Sequence, residues 1–388
     1  MKSFRELGIE DSLCAALAKK GIERPVPIQI SGIPGIIGAG GDLAFSAPTG
    51  SGKTLTYLLP LIQQKLEKKD DDITLILAPT HELAVQIFNV LRELLQDIGA
   101  DFSAALLIGN VNISRQVESL KKDRPLFIVG SPGRVLELIK AKKIKAYLIK
   151  NIVIDEADRL LDKNNLSTVE EVIKSTQRDR RILLFSATLG EKEAEKLEWH
   201  SAGFKYIKAE LENKDCEMVE HSYLICEERE KIANLRKLLA ALEPQRALVF
   251  VSKGYDLQKM AEKLAFHSYR ILSLHGALKK EERKKMLESF RKEERIVLLA
   301  SDIAARGLDV EDIDYVIGIG FPEQAENYLH RAGRTGRMGK NGKVVSVIAP
   351  RELPFLDKTA RKYGLEFVKK SLTKGKFREN RRKTLISK

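Results

Sequence analysis

The sequence predicts an α/β chain of two tandem parallel-sheet lobes, and three observations carry that prediction. Short apolar runs rich in β-branched residues alternate with helix-period stretches, once before Lys208 and again after Met218. Such alternation builds parallel sheets with helices on both faces. The intervening Lys208–Met218 is polar and aperiodic, and reads as a linker. A glycine-rich turn, Ala47-Pro-Thr-Gly-Ser-Gly-Lys-Thr54, stands in the first series and has no Gly-Lys-Thr counterpart in the second.

Taken in order, Asp42–Ser46 is the strand that runs into this turn, and Leu55–Leu59 beyond it reads as the start of a helix. Strands are expected at Ile73–Ala78, Leu126–Val129, Ile152–Ile154 and Ile182–Phe185, with helix-like stretches such as Glu82–Leu95 and Arg134–Ile139 between them. In the second half the strand candidates are Ala247–Val251, Ile271–Leu274, Ile296–Ala300, Tyr315–Ile319 and Val344–Ile348. Gly254–Phe266 and Lys279–Phe290 read there as helices. Ligands of such sheets bind at the carboxyl ends of the strands. The second lobe is therefore expected to close over a nucleotide held by the first.

The length, 388 residues, suits about two or three domains with cores of their own. Hydrophobic content of 43% and charged content of 31% describe an ordinary globular chain. No apolar run approaches a membrane span, and Met1-Lys-Ser-Phe-Arg5 lacks the apolar segment of a signal peptide; no membrane partner is expected. Cys14, Cys216 and Cys226 have no metal-ligand spacing and are too few for a disulfide framework. A reducing, cytoplasmic setting follows as the expectation. Net charge is +13, and from Arg351 onward thirteen Lys/Arg face four Asp/Glu, a net +9 that leaves +4 for the other 350 residues. A basic end on a near-neutral body suits polyanion attraction through counterion release. The plainer reading is a solvated end that binds nothing.

The turn at 47–54 has the context of a phosphate-binding loop. Gly50 and Gly52 let backbone N–H groups crowd an anion, and the helix that follows adds its positive end. Lys53 places a charge on the outer phosphates, and the Thr54 hydroxyl can ligate Mg²⁺. Asp155-Glu156-Ala157-Asp158 follows the apolar strand at 152–154. Asp155 there can hold Mg²⁺, partly through water, and Glu156 can orient and deprotonate an attacking water. The same acids could merely favour a helix start, but beside the loop they read as an ATPase or GTPase. Arg331, Arg334 and Arg337 in His330-Arg-Ala-Gly-Arg-Thr-Gly-Arg337 recur every third residue, and in a helix or helix-like turn would form one stripe of cations for the developing charge. They lie in the second lobe, so hydrolysis tied to lobe closure is expected.

These residues together resemble the DEAD-box ATP-dependent RNA helicases of helicase superfamily two, from Phe4 to about Gly342. Gly21-Ile-Glu-Arg-Pro-Val-Pro-Ile-Gln29 resembles the Q motif, with Val26 at a usual threonine and Ile22 at a usual aromatic. The resemblance implies that Gln29 reads the adenine edge and that Phe4 stacks on the base. An amide pairs bidentately with adenine, which favours ATP over GTP. Pro79-Thr-His-Glu-Leu-Ala84 is similar to Pro-Thr-Arg-Glu-Leu-Ala, with His81 for arginine, a charge lost near pH 7. Gly109-Asn110 stands at a usual Gly-Gly pair, and Ser131-Pro-Gly-Arg134 resembles Thr-Pro-Gly-Arg. Ser186-Ala-Thr188 matches the family's Ser-Ala-Thr. Ser301-Asp-Ile-Ala-Ala-Arg-Gly-Leu-Asp309 is similar to its counterpart, and His330 to Arg337 matches in full. Lys280-Glu-Glu-Arg283 departs from Gln-x-x-Arg, and Val316–Pro322 lacks the acid usual at Gly320.

The resemblance implies two RecA-like domains of the P-loop NTPase type with a short basic tail. A Q-motif region would span 1–30, an ATP-binding domain 31–209, a linker 210–218, a C-terminal domain 219–368 and the tail 369–388. Catalysis would fall to Lys53, Asp155, Glu156, Arg334 and Arg337, the last two as arginine fingers. ATP would be held by Phe4, Gln29, Ala47, Pro48, Thr49, Gly50, Ser51, Gly52, Lys53, Thr54 and, at the ribose, Asp309, with Mg²⁺ on Thr54 and Asp155. Ser186, Thr188, His330 and Arg331 would couple hydrolysis to strand separation. RNA would be gripped by its backbone, with little sequence preference, through Pro79, Thr80, Gly109, Ser131, Gly133, Arg134, Gly276, Arg283 and Ser301. The implied function is an ATP-dependent RNA helicase, monomeric, whose lobes close on ATP and single-stranded RNA, open short duplexes locally and reopen on hydrolysis. The departures at His81 and Gly320 keep a second reading open, an ATP-gated RNA clamp without productive unwinding. A DNA-directed translocase is a third, disfavoured by Gln29 and by the literal Asp-Glu-Ala-Asp spelling. The RNA target, the pathway and any protein cofactor are not written in the motifs.

Overall fold

The computed structural model describes residues 2–38, 40–47, 51–109, 111–186, 196–197, 200–201, 203–208, 219–252, 255–264, 269–275, 278, 280–302, 313–336, 342–373 and 375–379. The chain divides into two compact units, Met1–Glu212 and Asn213–Lys388. The expected linker at 210–218 lies outside the described residues.

In the first unit, α1 (Asp11–Lys19) and α2 (Pro27–Gly38) precede β1 (Asp42–Ser46), α3 (Lys53–Lys68), β2 (Ile73–Leu77) and α4 (His81–Asp97). Then come β3 (Ala104–Leu107), α5 (Ile113–Asp123), β4 (Phe127–Gly130), α6 (Pro132–Lys140) and β5 (Ile149–Asp155). α7 (Ala157–Leu160), α8 (Leu166–Lys174), β6 (Arg181–Ser186) and β7 (Phe204–Lys208) complete it. The strands form one parallel sheet in the order β3-β4-β2-β5-β6-β1-β7.

Side chains along the central strands alternate between two cores. Leu43, Phe45, Val153, Leu183 and Phe185 pack with α2, α3 and α4 on one face. Ala44, Ile152, Ile154, Ile182 and Leu184 pack with α6 and α8 on the other. Burial on both faces is why these strands read as continuous apolar runs. Each such Leu or Ile withdrawn from water contributes about 1.5–3 kcal/mol before entropy is counted. Phe45 and Phe185 stack across β1 and β6 with centroids 4.3 Å apart, directly beneath the strand ends that carry the site.

The second unit runs β8 (Val219–Ile225), α9 (Lys231–Leu242), β9 (Arg246–Val251), α10 (Leu257–Leu264), β10 (Arg270–Leu274), α11 (Lys280–Lys292) and β11 (Ile296–Ser301). It continues with β12 (Tyr315–Ile319), α12 (Ala325–Ala332), β13 (Gly342–Ile348), α13 (Leu353–Tyr363), β14 (Phe367–Thr373) and β15 (Lys376–Glu379). The sheet order is β10-β11-β9-β12-β13-β8-β14-β15, parallel except for the final pair.

That last hairpin lies largely within the stretch read as a basic tail, 369–388. Phe367 packs its ring against His221 and Tyr328, at 5.6 and 5.2 Å between centroids, while Leu372 and Phe377 join the opposite core. Lys370 pairs with Glu220 and lies over the Phe377 ring. The lysine-rich composition hid a hairpin in which Phe367, Leu372 and Phe377 pack against the cores. Residues 380–388 lie outside the described residues. Among the described residues, no helix is long and apolar enough to cross a membrane.

Candidate active site

Strand order sorts the candidate residues of the first unit. Ala47 follows β1, Asp155 ends β5 with Glu156 next, and Ser186 ends β6, so these lie at the carboxyl ends of the neighbouring strands β5-β6-β1. Pro79 and Thr80 follow β2, Gly109 follows β3, and Ser131 follows β4. Those strands, β3-β4-β2, are neighbours too. One sheet edge therefore carries the proposed nucleotide residues on one half and the proposed RNA residues on the other.

At the phosphate-loop end, Gly52 starts α3 with φ at 91°, in the left-handed region. A Cβ there would lie 2.7 Å from both Gln29 Nε2 and Val26 Cγ2, so only glycine lets the Gln29 segment approach this closely. Gln29 is buried; its Nε2 donates to Gly52 O at 3.2 Å and its Oε1 accepts from Val26 N–H at 3.0 Å. The amide retains one hydrogen and one lone pair for a further partner. Lys53, also buried, donates from Nζ to Ala47 O at 3.0 Å. Its ammonium thus lies within the loop from Ala47 to Gly52; Pro48, Thr49 and Gly50 are outside the described residues.

Asp155 is almost completely enclosed. Its Oδ2 accepts from the Tyr57 hydroxyl at 3.0 Å and its Oδ1 from Glu156 N–H at 2.9 Å. Burial raises its pKa above the ordinary value, with Lys53 pulling the other way. Burial beside Asp155 holds the Tyr57 phenol well above the usual range. Thr54 lies three residues before Tyr57, on the same face of α3. Oxygen donors of this hardness, one of them a carboxylate destabilised by burial, suit Mg²⁺. Glu156 takes a left-handed backbone, φ 51°, and its carboxylate pairs with Arg159 at 2.7 Å. A non-glycine residue held there costs on the order of 1 kcal/mol and marks a side chain whose direction matters. Ser186 donates to Asp158 Oδ1 at 2.6 Å, joining the end of β6 to α7. Thr188 lies outside the described residues.

Phe4 is 3% exposed and packs with Leu7 and Ile9 in the core of the first unit.

On the other half of the edge, Thr80 caps α4 by accepting from Leu83 N–H at 3.2 Å. Ser131 precedes α6, and Gly133, with nothing within 4 Å of its would-be Cβ, leaves the first turn open. Arg134 donates to Val111 O at 3.1 Å and Gln116 Oε1 at 3.3 Å, and pairs with Glu137 at 3.0 Å. His81 approaches Gly109, whose Cβ would meet its Nε2 at 3.2 Å. The departure from the arginine pattern thus lies against the backbone that follows β3.

Of the expected arginine stripe, Arg331 and Arg334 fall within the described residues of the second unit. α12 stops at Ala332, Gly333 follows as its cap, and Arg334 leaves the helix. Arg331 turns inward: Nε and NH2 grip Asp302 at 2.6 and 2.7 Å, NH1 donates to Gly320 O at 3.1 Å, and the guanidinium lies 5.4 Å from the Phe250 ring centre. Arg334 is buried, with Nε donating to His330 O at 3.3 Å. Arg283 and Ser301 are half-buried, on α11 and at the end of β11. Gly276, Asp309 and Arg337 lie outside the described residues. Sequence reasoning missed Tyr57, Arg159 and Asp302. Tyr57 left a signal, a lone hydroxyl-bearing ring three residues after Thr54 and so on the same helix face.

Residues 26–197 match the family described as DEAD/DEAH box helicase, and residues 230–339 match the helicase conserved C-terminal domain. The chain is 42% identical over 358 residues to the probable ATP-dependent RNA helicase YfmL of Bacillus subtilis, covering 92% of this chain and 94% of that protein. It is 40% identical to the DEAD-box ATP-dependent RNA helicase CshC of Bacillus cereus, covering 95% and 93%. Among solved structures it resembles Saccharomyces cerevisiae Dbp5 bound to RNA and ADP BeF3, at 26% identity, a TM-score of 0.82 and 95% coverage of both chains. Matched motifs, two parallel sheets and full-length relatives converge, and the chain belongs to the DEAD-box ATP-dependent RNA helicases.

Proposed function

We propose that this helicase divides its chemistry along one sheet edge, ATP on the β5-β6-β1 half and an RNA strand on the β3-β4-β2 half. The observation that carries this reading is the strand order itself. Lys53, with the loop from Ala47 to Thr54, would bind the triphosphate, and the free hydrogen and lone pair of Gln29 would meet adenine. Mg²⁺, held by Thr54 and partly through water by Asp155, would offset charge on the phosphates. Glu156, aimed by its left-handed backbone, would take the proton of the attacking water. Pro79, Thr80, Gly109, Ser131, Gly133 and Arg134 would hold sugar and phosphate without reading bases.

Arg334 and Arg337 would meet the charge that develops on the γ-phosphate when ATP and RNA bring the units together. Hydrolysis would then release the strand. We place the protein in the cytoplasm, acting as a monomer.

Glu156→Gln is the decisive test. RNA-stimulated turnover should fall about 10²–10⁴-fold while ATP and RNA binding persist. Turnover near the parental rate would overturn the assignment of the base.

A further inference from the structure

Gly320 ends β12 in the left-handed region, at φ 87°. A Cβ built there would come within 2.9 Å of Glu352 Oε1 and 2.7 Å of Ser252 Oγ. A carboxylate from the turn before α13 thus fills the space that a side chain at 320 would claim. Three donors hold it: Phe321 N–H to Oε1 at 3.3 Å, Ala349 N–H to Oε2 at 2.7 Å, and Lys231 Nζ to Oε2 at 2.7 Å. Lys231 is 1% exposed, and its second partner is Glu228 at 3.1 Å. An ammonium so deeply buried is tolerated only when paired.

The other side of the same turn leads to the arginines. Gly320 N–H is engaged by Val347 O at 2.9 Å, so Glu352 supplies the acceptor for the next donor, Phe321 N–H. Gly320 O accepts from Arg331, and Arg334 N–H donates to Arg331 O at 3.2 Å. Lys231, Glu352, the 320–321 turn, Arg331 and Arg334 thereby form one unbroken chain of contacts.

We propose that Glu352 is a positioning residue for ATP hydrolysis, supplying from position 352 the carboxylate that the family pattern carries at 320. Through the β12 turn it fixes Arg331 and the backbone that delivers Arg334. The proposal rests on the reading of Arg334 given above.

A carboxylate moved back to its usual place tests it. Glu352→Ala should lower RNA-stimulated kcat about 10-fold and change KM for ATP by no more than about 2-fold. Gly320→Asp alone should lose a similar factor of about 10, because two carboxylates compete for one space. The double variant Gly320→Asp/Glu352→Ala should return to within about 3-fold of the parent, since Asp tolerates the left-handed backbone and Ser252 can rotate away. Should Glu352→Ala fail to melt cooperatively, Glu352→Gln replaces it; it keeps an acceptor oxygen, and its smaller loss of about 3-fold should be rescued in the same way. A double variant no better than the poorer single, or an unchanged kcat in Glu352→Ala, overturns the proposal. Arg334→Ala is assayed beside them. Parental turnover there would remove the arginine reading, whereas the rescue reports on Glu352 separately.

Discussion

Arg331 holds Asp302 through two nearly parallel bonds, 2.6 and 2.7 Å long, with the arginine side chain 4% exposed. A fork of this kind fits a carboxylate in one orientation, and lysine cannot reproduce it. The bond ties the end of β11 to α12, so a residue expected to face the other lobe is an internal strut of its own. Arg331→Lys should destabilise the second unit by about 2–4 kcal/mol, just below the roughly 3–5 kcal/mol of removing one partner of a buried pair, because lysine keeps the charge. Denaturant unfolding measures the loss. RNA-stimulated ATPase should fall by at least about 10-fold, as a misplaced Arg334 would require.

Asp155 gives a prediction of opposite sign for stability. Burial raises its folded pKa above the ordinary carboxylate value of 3.8. Stability associated with that carboxyl is therefore full below the unfolded pKa and lost as pH rises through the folded one. At neutral pH the ionised group is a cost accepted for function. Asp155→Asn keeps polar partners for Tyr57 and Glu156 N–H but removes the charge. Its thermal midpoint should rise by about 2–4 °C while hydrolysis is abolished. A lowered midpoint would show that the Lys53 attraction outweighs desolvation.

His221 sets the acid limit of the second unit. Its imidazole is 2.7 Å from the Tyr328 hydroxyl and packed among aromatic rings, and burial lowers its pKa from 6.5 to about 4. The unfolded chain takes up the proton first, so the contribution is present above about pH 6.5 and lost as pH falls towards 4. The loss amounts to about 3 kcal/mol at most. His221→Gln should flatten stability against pH over that window; an unchanged profile would assign the acid sensitivity elsewhere.

The C-terminal hairpin changes where a truncation should be made. Ending the chain after Glu379 removes Arg381, Arg382, Lys383 and Lys388 without touching β15. RNA affinity should weaken and its log–log salt slope should drop by up to about 3, at about 0.7 per phosphate contact on a single strand. Ending it after Lys370 also deletes Leu372 and Phe377 from the core, and the thermal midpoint should fall by several degrees, about 2–4 °C per kcal/mol lost.

Much of this fold was legible because central parallel strands are apolar on both faces. β1, β2, β5, β6, β9, β11, β12 and β13 all announce themselves as short continuous runs, and the edge strand β10 was readable from Ile271 to Leu274. The strands that escaped notice lie towards the sheet edges or carry polar residues. β7 reads Phe-Lys-Tyr-Ile-Lys, β14 reads Phe-Val-Lys-Lys-Ser-Leu-Thr, and β8 is interrupted by Glu220, His221 and Ser222. Composition alone could not separate them from loop or tail. The site followed the same division. Lys53, Asp155, Glu156 and Gln29 were readable from spacing and resemblance, and the structure brings them to one sheet edge. Contacts between distant segments were not readable, since Tyr57 meeting Asp155 spans 98 positions and Lys231 meeting Glu352 spans 121. Nor could the motif reveal that Arg331 points inward, because helix spacing fixes a face but not what lies beneath it.

β2 and β5 are hydrogen-bonded neighbours, and they are where the two halves of the first sheet's edge meet. The residues proposed to hold ATP and RNA are thus planted in a single stiff plank, whose Cα partners run in step from Thr74 and Asn151 to Leu77 and Ile154. Under that proposal, communication between them inside this unit would need no hinge: a displacement of a few tenths of an ångström at one grip would reach the other through a lattice too close-packed to absorb it.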